Sequence, residues 1–91
     1  MNFGKAIEEL KAGNKVARAG WNGKGMFLIY VPGSHVRAYQ GTAYARDGVV
    51  DGKGEVTINP HIDMKTATGE MQPGWLASQT DRLAEDWEVI S

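Results

Sequence analysis

Apolar residues recur at two different spacings along this 91-residue chain, and the change of spacing predicts its elements. Near the N-terminus they follow a helical spacing, at Phe3, Ala6, Ile7 and Leu10. After Gly13 they alternate with polar residues or form short runs, and glycine or proline interrupts each run. The pattern therefore predicts one amphipathic helix followed by short strands.

About six short strands are predicted after this helix. The strand segments are 15–18, 26–31, 55–58, 61–66, 75–79 and 87–90, with a shorter piece at 70–72. Thr80 is expected to cap a single helical turn over 80–85, and 34–54 is predicted as a long hairpin or flap without a diagnostic motif. One helix and several short strands in a single domain, residues 1–91, indicate an α+β fold with the helix packed on a largely antiparallel sheet. The residues expected in the core are Phe3, Ile7, Leu10, Val16, Phe27, Ile29, Ile58, Ile62, Trp87 and Val89.

Composition narrows the function classes. The formal net charge is −1, so no general attraction to nucleic acid polymers or anionic membranes is expected. The chain has no cysteine, which excludes disulfides, thiolate metal sites and cysteine nucleophiles. No apolar run approaches the length of a membrane span, and the cytoplasm is the expected compartment. Because a chain this short buries little surface alone, self-association is a plausible source of further burial.

A glycine-rich turn after the first strand is the first candidate site. It contains Trp21, Asn22, Gly23, Lys24 and Gly25. A tryptophan plane, an amide and free backbone N–H groups suit a planar, polar or anionic ligand. The alternative is a hairpin turn whose tryptophan fills the core.

A second cluster near the C-terminus has matching chemistry. Trp75 is followed by Ser78, Gln79 and Asp81. Tryptophan faces stack on bases, while amide, hydroxyl and carboxylate groups bond to base edges and ribose hydroxyls. Together the two clusters indicate a pocket for a small nucleotide, unless Trp75 is a core residue.

Catalytic and metal-binding chemistry has weaker support. His61 and Asp63 share one face of a strand, but two ligands do not make a metal site, and no cofactor or metal is predicted. Ser34 or Ser78 could complete a triad with His61, but the sequence has no nucleophile elbow. A polar strand face is the preferred interpretation of this pair.

Three motifs, taken in order, resemble one known family. They are Arg18-x-Gly20-Trp21-Asn22-Gly23-Lys24-Gly25-Met26, Pro60-His61-Ile62-Asp63-Met64-Lys65, and Trp75-x-Ala77-Ser78-Gln79-Thr80-Asp81-x-Leu83-Ala84-Glu85-Asp86-Trp87. This combination is similar to the Thoeris anti-defence proteins of the second type, found in phages and prophages. The similarity runs from the N-terminal helix to the last strand.

The resemblance implies a function that residue spacing does not show. Members of that family are not enzymes. They act as sponges for the cyclised ADP-ribose signal of a bacterial TIR-domain protein, in the host cytoplasm, and assemble as homotetramers with pockets between subunits. Some members also bind cyclic oligonucleotides at a second site. The ligand contacts implied by the resemblance are Trp21, Asn22, Gly23, Lys24, Gly25, Met26, Trp75, Ala77, Ser78, Gln79, Thr80 and Asp81.

Two other functions stay open from the sequence alone. A small, glycine-rich, oligomeric phage protein could instead be structural or virion-associated, with Trp21 in a subunit interface. A minor hydrolase using His61 and Asp63 is the second alternative.

Overall fold

A helix packed on one face of a five-stranded antiparallel sheet forms the body of the protein. The computed structural model describes residues 1–21, 24–39 and 42–90. The elements in chain order are α1 (Phe3–Lys11), β1 (Lys15–Arg18), β2 (Phe27–Val31), β3 (Ser34–Arg37), α2 (Ala43–Arg46), β4 (Glu55–Ile58), β5 (His61–Lys65), β6 (Met71–Gln72), α3 (Gln79–Leu83) and β7 (Trp87–Ile90). The predicted α+β class, with an N-terminal helix and short antiparallel strands, is confirmed.

The strands form two separate sheets. The main sheet has the order β6-β5-β2-β1-β7, and every pairing in it is antiparallel. Strands β3 and β4 pair only with each other in the part of the chain that the structure describes, and are called here the β3–β4 ribbon. The longest dimension of the molecule is 46 Å, against 26 and 25 Å for the other two.

Helix α1 is fixed at both ends by local interactions. The Asn2 side chain accepts a hydrogen bond from the Lys5 N–H at 2.8 Å, which caps the first turn. Gly13 follows the helix with φ 95°, a left-handed conformation that favours glycine. Ala6 and Leu10 are buried against the sheet, so tertiary packing adds to the short helix's own stability.

The strand register decides which apolar residues reach this core. Leu28 lies opposite Val16 on one side and Met64 on the other, and it is 0% exposed. Because side chains alternate along a strand, Phe27 and Ile29 lie on the sheet face away from α1, where they are half-buried.

The predicted core is therefore right in part. Leu10, Val16 and Trp87 are buried, and Phe3, Ile7 and Ile62 pack against the core. Val89 was expected inside but is 46% exposed, because it lies toward the end of the edge strand β7. Ile58 is half-buried on the ribbon.

Two predicted segments need correction. Residues 75–79 were expected to form a strand, but 75–78 are irregular and α3 begins at Gln79 with Ser78, not Thr80, as its cap. The segment 34–54, expected as a hairpin or flap, contains β3 and the short helix α2, and the hairpin closes at β4. Both differences arise from side chains that bond to backbone N–H groups. Ser78 does so at α3, and Thr42 accepts from the Ala45 N–H at α2.

Within the described residues, none of the helices is long and apolar enough to span a membrane.

Candidate ligand-binding site

Four aromatic rings meet beside the N-terminal end of α1. This aromatic cluster consists of Phe3, Trp21, Trp75 and Trp87. Trp87 is 2% exposed, and its ring centroid lies 5.3 Å from Trp21, 5.4 Å from Phe3 and 6.2 Å from Trp75. Trp21 and Trp75 pack edge to face at 6.3 Å, and both are half-buried. The cluster is thus part of the core and also presents two tryptophans at the surface.

Asp81, in the first turn of α3, connects the cluster to polar groups. Its Oδ1 accepts hydrogen bonds from Arg18 Nη1 at 2.8 Å and from the Trp21 indole N–H at 3.2 Å. Its Oδ2 accepts from the Ser78 hydroxyl at 2.9 Å. The Trp87 indole N–H donates to the Asp81 backbone carbonyl at 2.9 Å. One residue therefore holds two tryptophans of the cluster in place.

Arg18 joins this carboxylate to a second one. Its Nε donates to Asp86 Oδ1 at 2.8 Å, while its Nη1 bonds to Asp81. The Gly20 N–H donates to Asp86 Oδ2 at 2.8 Å, and a Cβ at Gly20 would lie 2.8 Å from that same oxygen. A glycine is thus needed for this close approach. The network ties the turn after β1 to the segment between α3 and β7.

The network keeps both carboxyl groups ionised. Burial of Asp81 raises its pKa, but the hydrogen bonds from Arg18, Trp21 and Ser78 outweigh burial, so its pKa lies below the usual range. The Arg18 guanidinium is also the main cause of the lowered pKa of Asp86. The side chains of Arg18 and Asp81 are only 16% and 15% exposed, so this pair is better shielded from solvent than an ordinary surface ion pair.

The lowered pKa of Asp81 predicts a loss of stability in acid. An aspartate with a folded pKa below its unfolded value of about 3.9 contributes stability above that pH and loses it as the pH falls through the folded pKa. The drop in urea midpoint between pH 7 and pH 3 should therefore be smaller in Asp81→Asn than in the unsubstituted protein.

Glu8→Gln is the matched control for this measurement. Glu8 pairs only with Lys5 among the described residues, at 3.4 Å, and its side chain is 73% exposed. This variant should keep the full loss between the two pH values. An equal loss in Asp81→Asn and in Glu8→Gln would contradict the role given to Asp81.

The sequence-predicted site residues fall into three groups. Trp21, Trp75, Ser78 and Asp81 are brought together by the contacts above, although they come from motifs about 60 residues apart. Trp21 is half-buried and packs against the core, so the core alternative given for this tryptophan holds in part. Ala77 is half-buried, and Gln79 and Thr80 are exposed on α3.

Gly25, at the C-terminal end of the turn, lies next to β5. The Gly25 carbonyl accepts from Lys65 Nζ at 3.3 Å, and this ammonium lies 5.5 Å from the Phe27 ring centroid, on the sheet face away from α1. Lys24 is exposed, and Met26 is half-buried but is not among the described apolar residues that pack against the core. Asn22 and Gly23 lie outside the described residues.

Sequence reasoning missed three residues of the site. Arg18, Asp86 and Phe3 were not predicted as site residues, yet they fix the geometry of the cluster. Arg18 and Asp86 are charged residues at the edges of β1 and β7, and their pairing depends on the strand register, which sequence alone does not supply.

His61 lies elsewhere, beside an apolar cavity of about 380 Å³ between α1 and the sheet. The cavity is lined by Ile7, Leu10, Lys11, Tyr30, Pro60, His61 and Ile62. The ring nitrogens of His61 face the Asn59 carbonyl at 2.8 Å and Asp63 Oδ1 at 3.5 Å. Neither Ser34 nor Ser78 bonds to His61 in the described residues, so the triad considered for a hydrolase is not assembled there.

The whole chain, including the ribbon, matches one protein family. The model of the Thoeris anti-defense 2-like domain matches residues 1–90. The chain belongs to this family. A curated relative from Bacillus phage SP01, named "Thoeris anti-defense 2", is 38% identical over 91 residues, which are 100% of this chain and 96% of the relative.

Membership confirms the resemblance inferred from the three motifs. The family's description names an anti-defence protein directed at Thoeris and names no reaction. Because the match extends through 34–54, this segment is part of the family domain even though its sequence carried no recognisable motif.

Proposed function

We propose that this protein is a phage-encoded inhibitor of Thoeris defence that binds and sequesters a cyclised ADP-ribose signal without degrading it. The signal would come from a TIR-domain immune protein in the host bacterial cytoplasm. Removing it from solution would leave the downstream effector inactive. Family membership supports the anti-defence role, and the aromatic cluster supports a nucleotide ligand.

The observation that carries this proposal is the meeting of two sequence-distant motifs at one place. The ring centroids of Trp21 and Trp75 lie 6.3 Å apart, and both residues are only half-buried. Stacking on an aromatic ring is worth about 1–3 kcal/mol per base, and it does not require a charged partner. A base of the ligand would stack on the accessible part of either tryptophan.

Polar side chains suited to the remainder of such a ligand lie on α3, beside Asp81 in the chain. Gln79 and Thr80 are exposed on α3, next to Asp81, and offer amide and hydroxyl groups for ribose and base edges. Lys24 is exposed on the turn after β1, and its ammonium would neutralise a phosphate of the ligand. These contacts, with those of Trp75 and Trp21, make up the proposed site.

We further propose that the active form is a homotetramer whose pockets lie between subunits. Leu76 and Leu83 lie between Trp75 and Trp87 in the sequence, and they are 85% and 77% exposed in the single chain. Burying a leucine side chain stabilises by about 1.5–3 kcal/mol, so two such residues per subunit favour association. A second subunit at this surface would also enclose the exposed parts of Trp21 and Trp75.

Titration calorimetry tests the ligand class directly. Cyclised ADP-ribose should bind to the pure protein with saturable heat, and linear ADP-ribose should bind at least tenfold more weakly, because its open ends would not fit a site formed for a closed ring. Absence of binding by the cyclised form, or equal binding of both forms, would contradict the proposal.

A further inference from the structure

Three metal-ligating side chains converge on one face of the β3–β4 ribbon, away from the aromatic cluster. They are His35 on β3, Glu55 at the start of β4, and Asp51 in the connection before it. One ligand atom of each lies within 4.8 Å of the other two. We propose that this trio binds a single divalent transition-metal cation, and that Zn²⁺ is the cation best suited to it.

The strand register places two of the ligands side by side. His35 lies opposite Thr57, and Arg37 lies opposite Glu55. Since facing residues and their second neighbours share one face of an antiparallel pair, His35 and Glu55 are diagonal neighbours on the same face. Their closest approach, from His35 Nε2 to Glu55 Oε1, is 3.8 Å.

Backbone hydrogen bonds fix the third ligand against them. Asp51 Oδ1 accepts from the N–H groups of Lys53 at 2.8 Å and Glu55 at 3.0 Å. The Asp51 N–H in turn donates to the Glu55 carbonyl at 2.9 Å. No hydrogen bond within the described residues uses Asp51 Oδ2, so this oxygen is available to a cation.

The histidine ring is oriented in the way a metal ligand requires. Its Nδ1 lies 2.8 Å from the Thr57 hydroxyl. When Nδ1–H donates to this hydroxyl, the lone pair is on Nε2, which faces Glu55. Metal-bound histidines commonly use their second nitrogen in this way, because the outer hydrogen bond fixes both the tautomer and the ring.

The donor set and its dimensions favour zinc over calcium. Zinc bonds to imidazole nitrogen and carboxylate oxygen at about 2.0–2.2 Å, so tetrahedral ligands stand roughly 3.3–3.5 Å apart. The exposed side chains of His35 and Asp51 would need to close by about an ångström. Calcium instead prefers six to eight oxygen ligands, which this site does not supply. A water molecule would take the fourth position on zinc.

Binding would link the Asp51 turn to β3 across the ribbon. A divalent cation bound there would offset the negative charge of the two carboxylates. The ribbon pairs with no strand of the main sheet among the described residues, so a metal cross-link would make it more rigid.

The two histidines of the chain offer a matched pair of variants for the test. Tag-free protein, first stripped with a chelator, would be titrated with Zn²⁺ in a calorimeter. The unsubstituted protein should bind one zinc per chain, and His35→Ala should bind at least tenfold more weakly. His61→Ala should bind as the unsubstituted protein does, although His61 also lies beside a carboxylate, 3.5 Å from Asp63.

A third variant separates ligation from ring orientation. Thr57→Val keeps the side-chain shape but removes the hydroxyl, and it should weaken zinc binding by about 10–100-fold. Far-UV circular dichroism of each variant shows whether the fold is kept. Unchanged zinc binding in His35→Ala, loss of binding in His61→Ala, or tighter binding of Ca²⁺ than of Zn²⁺ would overturn the proposal.

Discussion

Trp21→Ala should lower the free energy of unfolding by about 2–4 kcal/mol, at the low end of the effects of removing core tryptophans, because part of the ring is exposed. The substitution removes the edge-to-face packing on Trp87 at 5.3 Å and on Trp75 at 6.3 Å. It also removes one of the hydrogen bonds that Asp81 accepts. Thermal and urea unfolding measure the effect.

The same variant should lose ligand affinity for a separate reason. A missing base contact of about 1–3 kcal/mol corresponds to a loss between severalfold and a hundredfold or more. Affinity should be measured well below the melting temperature of the variant, so that unfolding does not imitate a lost contact.

Trp21→Phe is the control that separates the loss of stability from the loss of ligand affinity. Phenylalanine keeps an aromatic plane but cannot donate to Asp81, so this variant should retain most of the ligand affinity and part of the stability. If Trp21→Ala binds the cyclised nucleotide with unchanged affinity while folded, Trp21 serves the core alone and the proposed site is wrong.

The second large effect concerns assembly. Leu76→Asp combined with Leu83→Asp should convert the proposed tetramer to smaller species. Each subunit would then place two charges in the proposed subunit interface, where burial of a charge is costly. The fold of the single chain should survive, since these leucines are 85% and 77% exposed in it. Light scattering measures the assembly, and the melting temperature at low concentration reports on the fold.

Val49→Asp is the matched control for the assembly test. Val49 is also an exposed apolar residue, at 55%, but it lies in the connection between β3 and β4. The control should leave the assembly intact. A monomeric unsubstituted protein at micromolar concentration, or a control that dissociates as fully as the double variant, would contradict the surface assigned here.

The sequence predicts where the helices and strands lie better than it predicts which of their residues are buried. Helix α1 and strands β5 and β7 follow from periodicity and from glycine or proline breaks. Strand β2 is apolar throughout, so alternation could not show that Leu28, rather than Phe27 or Ile29, lies under α1. That choice depends on the pairing of Leu28 with Val16 and Met64, which is a long-range property.

In the candidate site, too, residue types can be read from the sequence, whereas contacts between distant residues depend on strand pairing. Local chemistry singled out Trp21 and Trp75, and the structure brings them together. Arg18 and Asp86, which tie the turn after β1 to the segment before β7, lie 68 positions apart and are brought together by the pairing of β1 with β7. The proposed metal-binding trio could not be predicted for the same reason, because the pairing of β3 with β4 and the turn at Asp51, not closeness in sequence, bring His35 and Asp51 together.

Capture and release of the signal tests whether the protein sequesters it intact. The pure protein would be mixed with the product of an active TIR-domain protein, washed free of unbound nucleotide, and heated to unfold it. If the protein sequesters the signal, heating should release the cyclised ADP-ribose with its original mass and chromatographic position. A structural phage protein would release no nucleotide and a hydrolase would release an altered one, and either result would contradict sequestration.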